Sequence, residues 1–239
     1  MIPKPNIHYL EAHPTNMWDR LGTSFKYIVL HYVGAVSTAR NNAEYLHRDS
    51  NLGWSAHYFV DEKEIWQSVP FTMAAGHCGV DYSGGKAPYW NGKGTYSTNR
   101  QSIGIEMCCK KDNKGNWYIE PETVTRTVAL VRWLMQELNI PAENVIRHYD
   151  VCWKTCPEPW VRFPEQWTAF KKRISEEEEE EMVRFKTVEE MPKWAQKDIQ
   201  KLIDLGHLQG KGGDAGLDLT EDMARTLIIC GRMQGVLKT

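Results

Sequence analysis

The chain has 239 residues, 41% of them apolar, and a formal net charge of −2 at pH 7. That length suits one good hydrophobic core plus a small extra module, and so even a charge balance argues against nucleic acid as a partner. The opening MIPKPNIHYLEAHP lacks the basic start and apolar run of a secretory leader, and no segment approaches the roughly 18 apolar residues of a membrane span.

In chain order, the first clear element is Lys26–Val33 (KYIVLHYV), a short β-rich apolar run before Gly34 that suits a buried strand. Trp54–Val60 and Glu64–Val69 read as a hairpin turning on Asp61, Glu62 and Lys63. Residues 76–100 are rich in Gly, Tyr, Asn and Ser, and so long a loop in a compact domain is expected to wall a groove. Its aromatics Tyr82, Tyr89, Trp90 and Tyr96 either stack on a ligand or pack the loop down, whereas Trp66 reads as core. Ser102–Cys109 is a second buried strand. Val124, Val128, Val131, Met135 and Leu138 fall on one face of a helix that Pro141 stops. Val145–Arg147 then re-enters the sheet. Strands and helices alternate without strict order, so the expected class is α/β, a mixed central sheet flanked by helices.

Residues 176–181 are six consecutive glutamates, a self-repelling block that reads as a linker. It divides a domain of residues 1–175, with 20 basic and 17 acidic groups, from a small helical module of residues 182–239 with nine and eight. In that module Pro192 suits a first helical turn and Ala195, Ile199, Leu202 and Ile203 form an apolar face that Gly206 ends. A Gly-rich turn over residues 209–216 leads to Asp218 or Thr220 as the cap of a second helix, with Met223, Leu227 and Cys230 or Met233 as its buried stripe. The pattern resembles the helix pairs of surface-layer-homology-like wall modules. Fewer than 70–80 residues rarely build a sufficient core alone, so the module is expected to bind a wall or to pair as a homodimer.

The densest chemistry lies in residues 146–159, IRHYDVCWKTCPEP. A chain made in the cytoplasm without a signal peptide keeps its thiols reduced, so the six cysteines suit metal ligation better than a disulfide framework. A single strand-end histidine is usually a core or rim residue, and a single buried cysteine a small hydrophobe. His31, His148 and Cys156 together, each beside a strand end or a Pro-fixed turn, suit one catalytic Zn²⁺, because two imidazoles and a thiolate leave the fourth tetrahedral position to water. Spacing alone also allows Cys152 as a fourth ligand and a structural site.

Val29–Tyr32 (VLHY), Ser55–Tyr58 (SAHY), Ser102–Glu106 (SIGIE) and Arg147–His148 followed by Lys154–Pro157 (KTCP) resemble, in order, the zinc-dependent N-acetylmuramoyl-L-alanine amidases. The likeness runs from about residue 20 to 170 and is greatest to phage and prophage endolysins; these amidases also share a fold with peptidoglycan recognition proteins. The resemblance implies His31, His148 and Cys156 as zinc ligands, with Cys152 a bystander. It implies Glu106 as general base and Lys154 as the cation facing the reacting carbonyl. Some phage members carry a catalytic tyrosine two residues before the position of Tyr58, where this chain has Ala56. Glu106 is expected to take over, with Tyr58 as the fallback because alternate strand residues share a face. His77 matches a groove residue that contacts substrate. The function implied is hydrolysis of the amide between N-acetylmuramic acid and L-alanine in bacterial peptidoglycan, at the cell wall after release from the cell. The alternatives are a non-catalytic peptidoglycan-binding protein and a cytosolic wall-recycling amidase.

Overall fold

The computed structural model describes residues 2–92, 97–176, 184–210 and 216–237. The chain divides into two compact units, residues 1–176 and 177–239. Most of the glutamate block, Tyr96 and most of the Gly-rich turn lie outside the described residues.

The first unit is built on six strands: β1 (His8–Tyr9), β3 (Tyr27–Tyr32), β4 (Tyr58–Val60), β5 (Ile65–Gln67), β7 (Ser102–Met107) and β10 (Val145–Arg147). They lie in the order β1-β5-β4-β7-β3-β10. Only the β4–β5 pair is antiparallel, so the sheet is mixed, and β4, β7, β3 and β10 all run the same way. The hairpin turn closes through Asp61, whose Oδ1 accepts from the backbone N–H groups of Lys63 and Glu64. Two minor pairs flank the sheet: β2 (Met17–Asp19) with β6 (Met73–Ala75), and β8 (Lys110–Lys111) with β9 (Trp117–Tyr118).

Alternation decides which side chains reach which layer. Ile28 and Leu30 of β3, Ile103, Ile105 and Met107 of β7, and Tyr58 and Val60 of β4 point to one face. There they meet α2 (Pro121–Leu138) and α5 (Pro164–Ser175), with Trp160 and Phe170 fully packed between them. Burying each such side chain contributes about 1.5–3 kcal/mol. Asn139 in the left-handed conformation (φ 51°) ends α2, two residues before Pro141; asparagine tolerates that conformation. On the opposite face α1 (Ala39–Arg48) is capped by Thr38, whose hydroxyl accepts from the N–H of Asn41, and packs Ala39, Ala43 and Leu46 against Phe59. Two short helices follow β10: α3 (His148–Cys152) and α4 (Glu158–Arg162).

The second unit contains α6 (Lys193–Asp204) and α7 (Glu221–Met233), which pack on each other. Thr220, not Asp218, caps α7, accepting from the N–H of Met223. Ala195, Ile199 and Leu202 are buried on α6 as the periodicity predicts. On α7 the buried stripe is Ala224, Ile228 and Gly231, one residue on from the expected one, while Met223, Cys230 and Met233 are exposed. Gly231 leaves room for Leu237, which follows the helix: a Cβ there would lie 2.9 Å from the Leu237 side chain. Phe185, Met191, Leu219 and Leu237 complete this core, so the stripes are covered within the unit.

Candidate active site

Parallel β3, β7 and β10 end at one edge of the sheet, and beyond the carboxyl ends of such strands lies the usual position of an α/β site. His31 is the fifth residue of β3, on the face opposite Ile28 and Leu30, and Glu106 is its register partner on β7. The two side chains therefore emerge side by side, with Glu106 Oε1 4.0 Å from His31 Nδ1. His148 follows β10 directly, as the first residue of α3.

A local network fixes the remainder. The carboxylate of Asp150 accepts from the backbone N–H of Arg147 at 2.8 Å and from its guanidinium at 2.8 and 3.1 Å, and the guanidinium reaches on to the carbonyl of Trp160. The N–H of Tyr149 donates to the carbonyl of Cys156 at 2.8 Å, folding the KTCP segment back onto α3. Cys156 Sγ thereby sits 3.8 Å from His31 Nδ1, and the rings of His31 and His148 are 4.5 Å apart.

The donor atoms of His31, His148 and Cys156 all lie within 4.8 Å of one another. Around a tetrahedral zinc, with bonds of about 2.05 Å to nitrogen and 2.3 Å to sulfur, a nitrogen–sulfur separation of about 3.6 Å is required. The spacing fits. Both ring nitrogens of His148 are buried without a hydrogen-bond partner, as is Oε2 of Glu106. Buried polar atoms are rarely left so, and a cation held by the imidazole nitrogens accounts for one of the orphans. Two imidazoles and a thiolate are a borderline-soft donor set that suits zinc. Cys152 is fully buried against Val29, Ile146 and Val151, outside that cluster.

Burial dominates the electrostatics. It lifts the carboxyl of Glu106 to about 8, an effect that the nearby Lys154 ammonium opposes. It lowers His148 to about 3, with Lys154 adding to the effect, and holds His31 well below the usual imidazole range. Cys156 is raised, first by burial and then by the Glu106 charge.

Two adjoining cavities open here. One, of about 220 Å³, is lined by His31, Glu106, His148, Lys154 and Cys156. The other, about 530 Å³, shares His77, His148 and Lys154 and extends along Trp18, Tyr82 and Arg100. The long Gly-rich loop forms much of its wall, as expected. Tyr89 and Trp90 instead pack on the apolar cluster around Val29, and Trp66 packs partly buried against the α1-side core.

Tyr58 is a correction. Its register partner is Ile105, so it faces α2 rather than the groove; it is fully buried in the core with its hydroxyl unpartnered. Ala56 precedes the strand and belongs to the α1-side core, so the two do not share a face. Tyr58 is buried behind the sheet and lines neither cavity. His77 does reach the cavities but is almost wholly buried, its ring seated over Gly104, where a Cβ would lie 2.5 Å from it. Sequence reasoning missed Arg20, whose buried guanidinium donates to the carbonyl of Ser102 at 2.9 Å and lies 2.7 Å from His57 Nε2. An arginine beside exposed Leu21 carries no periodic signal that it turns inward.

A mixed sheet with a two-histidine, one-cysteine cluster at its carboxyl edge defines a fold with a group that could hold a metal ion. The family described as N-acetylmuramoyl-L-alanine amidase matches residues 21–159, and the chain belongs to it. A probable N-acetylmuramoyl-L-alanine amidase of Bacillus licheniformis is 33% identical over 173 residues, which cover 66% of this chain and 44% of the relative. The amidase BlyA of Bacillus subtilis (strain 168) is 29% identical over 168 residues, 67% of this chain and 45% of BlyA. The chain thus spans less than half the length of these curated relatives. Among solved structures, PlyL superposes with a TM-score of 0.57 at 28% identity, covering 72% of this chain and 98% of PlyL. The catalytic domain of XlyA gives 0.55 at 27%, covering 72% and 100%. Among the described residues no helix is long and apolar enough to cross a membrane.

Proposed function

We propose that residues 1–176 form a zinc-dependent N-acetylmuramoyl-L-alanine amidase that cleaves the amide between N-acetylmuramic acid and the L-alanine of the stem peptide, in the manner of an endolysin. The observation that carries the reading is the buried His31–His148–Cys156 cluster with Glu106 beside it, inside a chain of this family. Both rivals, a binding protein without catalysis and a wall-recycling amidase, lack a specific observation in their favour.

His31, His148 and Cys156 would hold the zinc. Once bound, zinc supplies Lewis acidity and lowers the pKa of water from about 15.7 to about 7. Glu106 is the proton carrier. Its carboxylate, 4.0 Å from His31 Nδ1 at the cluster, is placed to take a proton from the attacking water and return it to the leaving amide nitrogen. Lys154, exposed at the mouth of both cavities, stabilises the negative charge that develops on the carbonyl oxygen. The larger cavity holds the sugar and peptide on either side of the scissile bond, with Trp18 and Tyr82 as stacking surfaces.

The second unit is proposed to hold the enzyme on its polymeric substrate. Its support is the exposed apolar set Trp194, Met223, Ile229 and Met233 on a domain whose core is otherwise closed. Pairing as a homodimer is a lesser proposal, because neither stripe needs a second copy to cover it.

The deciding experiment treats purified bacterial walls with the chain, with and without a chelator, and identifies the new ends. New L-alanine amino termini without new sugar reducing ends, abolished by the chelator and restored by zinc, are expected. New reducing ends, or release that survives the chelator, would overturn the reading.

A further inference from the structure

His77 lies beside the proposed metal ligands without belonging to them, and its hydrogen bonds have a direction that can be assigned from one end. Ser102 Oγ is 2.5 Å from the carbonyl oxygen of Thr98, which can only accept. The single hydroxyl proton of Ser102 is therefore committed there. His77 Nε2 is 3.1 Å from the same hydroxyl oxygen, so His77 must donate through Nε2–H. A neutral imidazole carries one proton, which leaves Nδ1 of His77 bare. That nitrogen is 2.9 Å from Nε2 of His31. His31 must then carry its proton on Nε2, which frees the lone pair of Nδ1, the nitrogen that faces Cys156 Sγ.

We propose that His77 is a positioning residue: through Thr98, Ser102 and its own ring it locks His31 in the Nε2–H tautomer, presenting Nδ1 to zinc. The inference rests on the zinc reading above and adds a residue to it. A metal-bound imidazole commonly donates its other N–H to such a partner, which fixes the ring's orientation and raises its basicity.

The seat is built for this purpose on three sides. Gly104 leaves the space the ring occupies, since any Cβ there would lie 2.5 Å from the His77 Cγ. Oδ1 of Asn99 accepts from the backbone N–H groups of both His77 and Cys78, at 3.1 and 2.7 Å, fixing the peptide that carries the ring. His57 packs edge-on against the outer side. The competing contact is the Cys78 thiol, 3.2 Å from the same Nδ1. A thiol is a weak donor and loses to an imidazole N–H at 2.9 Å. His31, His77 and Cys78 also form a second possible metal group. A metal there needs both facing nitrogens bare and about 3.3 Å apart, wider than the observed hydrogen bond.

The test uses the full chain and zinc itself. Zinc affinity is measured at pH 7.5 by competition with a chromophoric chelator for the parent, His77→Phe, His77→Asn and Cys78→Ala. Protons on the histidine nitrogens are located by long-range ¹H–¹⁵N correlation in the metal-free chain. His77→Phe fills the seat without an acceptor and is expected to weaken zinc binding roughly 10–100-fold and to mix the His31 tautomers. His77→Asn puts an amide oxygen about where Nδ1 was and is expected to restore most of the affinity. Cys78→Ala is expected to bind like the parent. Parent-like zinc affinity in His77→Phe, or an Nδ1–H tautomer of His31 in the parent, overturns the proposal. Loss in Cys78→Ala as large as in His77→Phe assigns the metal to the second group and also overturns it. If the parent binds no zinc, the metal reading itself fails, whereas the tautomer measurement still judges the relay separately.

Discussion

His31 and Glu106 are register partners on adjacent parallel strands, and their side chains meet at 4.0 Å where both emerge from the sheet. Backbone hydrogen bonding thus sets the separation of proposed ligand and proposed base, which no loop movement can alter. Such rigidity suits a site whose chemistry tolerates little misplacement.

Removing one donor tests the metal cluster. Cys156→Ser and His148→Ala are each expected to reduce bound zinc, measured by atomic emission after dialysis, to a small fraction of one equivalent. Cys152→Ser is expected to keep the full equivalent, because its thiol points into the apolar cluster and contacts the carbonyl of His148 instead. Zinc loss in Cys152→Ser would restore the four-ligand alternative.

Glu106 and Lys154 should separate binding from turnover. Glu106→Gln preserves shape and leaves zinc in place but removes the proton carrier, and is expected to lower kcat by roughly 10²–10⁴-fold. Lys154→Ala is expected to lower it by roughly 10²–10³-fold, the usual cost of one donor to a developing oxyanion. Wall lysis by Glu106→Gln at the parent rate would move the role elsewhere, and Tyr58, sealed behind the sheet, is not available to take it.

The buried histidines dictate a pH response in the metal-free chain. His57 is held well below 6.5, mainly by burial and then by the Arg20 and His77 charges, although the Met73 carbonyl opposes this. Folded, it stays neutral; unfolded, it takes a proton below about pH 6.5. The unfolded state therefore binds more protons as the pH falls, so the stability is present above about 6.5 and lost below it. Each such histidine costs up to about 1.4 kcal/mol per pH unit, or about 3–6 °C in Tm. Thermal scans with chelator between pH 7.5 and 5.5 should show Tm falling, and falling less steeply in His57→Gln. A flat profile would mean that the ring is charged when folded.

Where the chain is cut should matter to within four residues. Helix α5 runs to Ser175, and Ile174 is packed in the main core. Residues 1–176 alone are expected to fold, bind zinc and cleave soluble muropeptides while sedimenting poorly with whole walls. Ending at Lys172 discards Ile174 and the Arg173–Thr125 hydrogen bond, a loss of about 2–5 kcal/mol that should lower Tm by several degrees. Equal wall binding by residues 1–176 and the full chain would end the anchoring role of the second unit.

Much of the first unit was legible because its signals are local. The VLHY and SIGIE runs announce buried strands, and a proline-fixed turn with histidine and cysteine points to the His31–His148–Cys156 cluster. Helix α1 was not read from the sequence. Its buried face is only Ala39, Ala43 and Leu46, with Asn42 beside them, too small and polar for periodicity to register. In α7 several stripes are apolar enough to qualify, and which one is buried depends on what packs against it, including Leu237 over Gly231 and the α6 face, none of which the periodicity of α7 itself contains. Tyr58 was misplaced because the alternation rule was carried back beyond the first residue of its strand. The relay from Thr98 to His31 joins three separate segments and has no one-dimensional signature.

Strand β10 is one of the two edge strands of the sheet, held by three register pairs to β3, and it delivers His148 to a partner 117 positions earlier in the chain. Zinc gripped between His31 on β3 and His148 beyond β10 would therefore act as a clasp on the sheet's last seam. During synthesis the clasp cannot close until Cys156 has emerged, after every other strand is available. Stripped of metal, the molecule should open first along that seam. Amide exchange in β10, α3 and α4 should quicken on chelation while the β4–β7 pairing stays protected, so that any bound metal would be readable in the looseness of one edge.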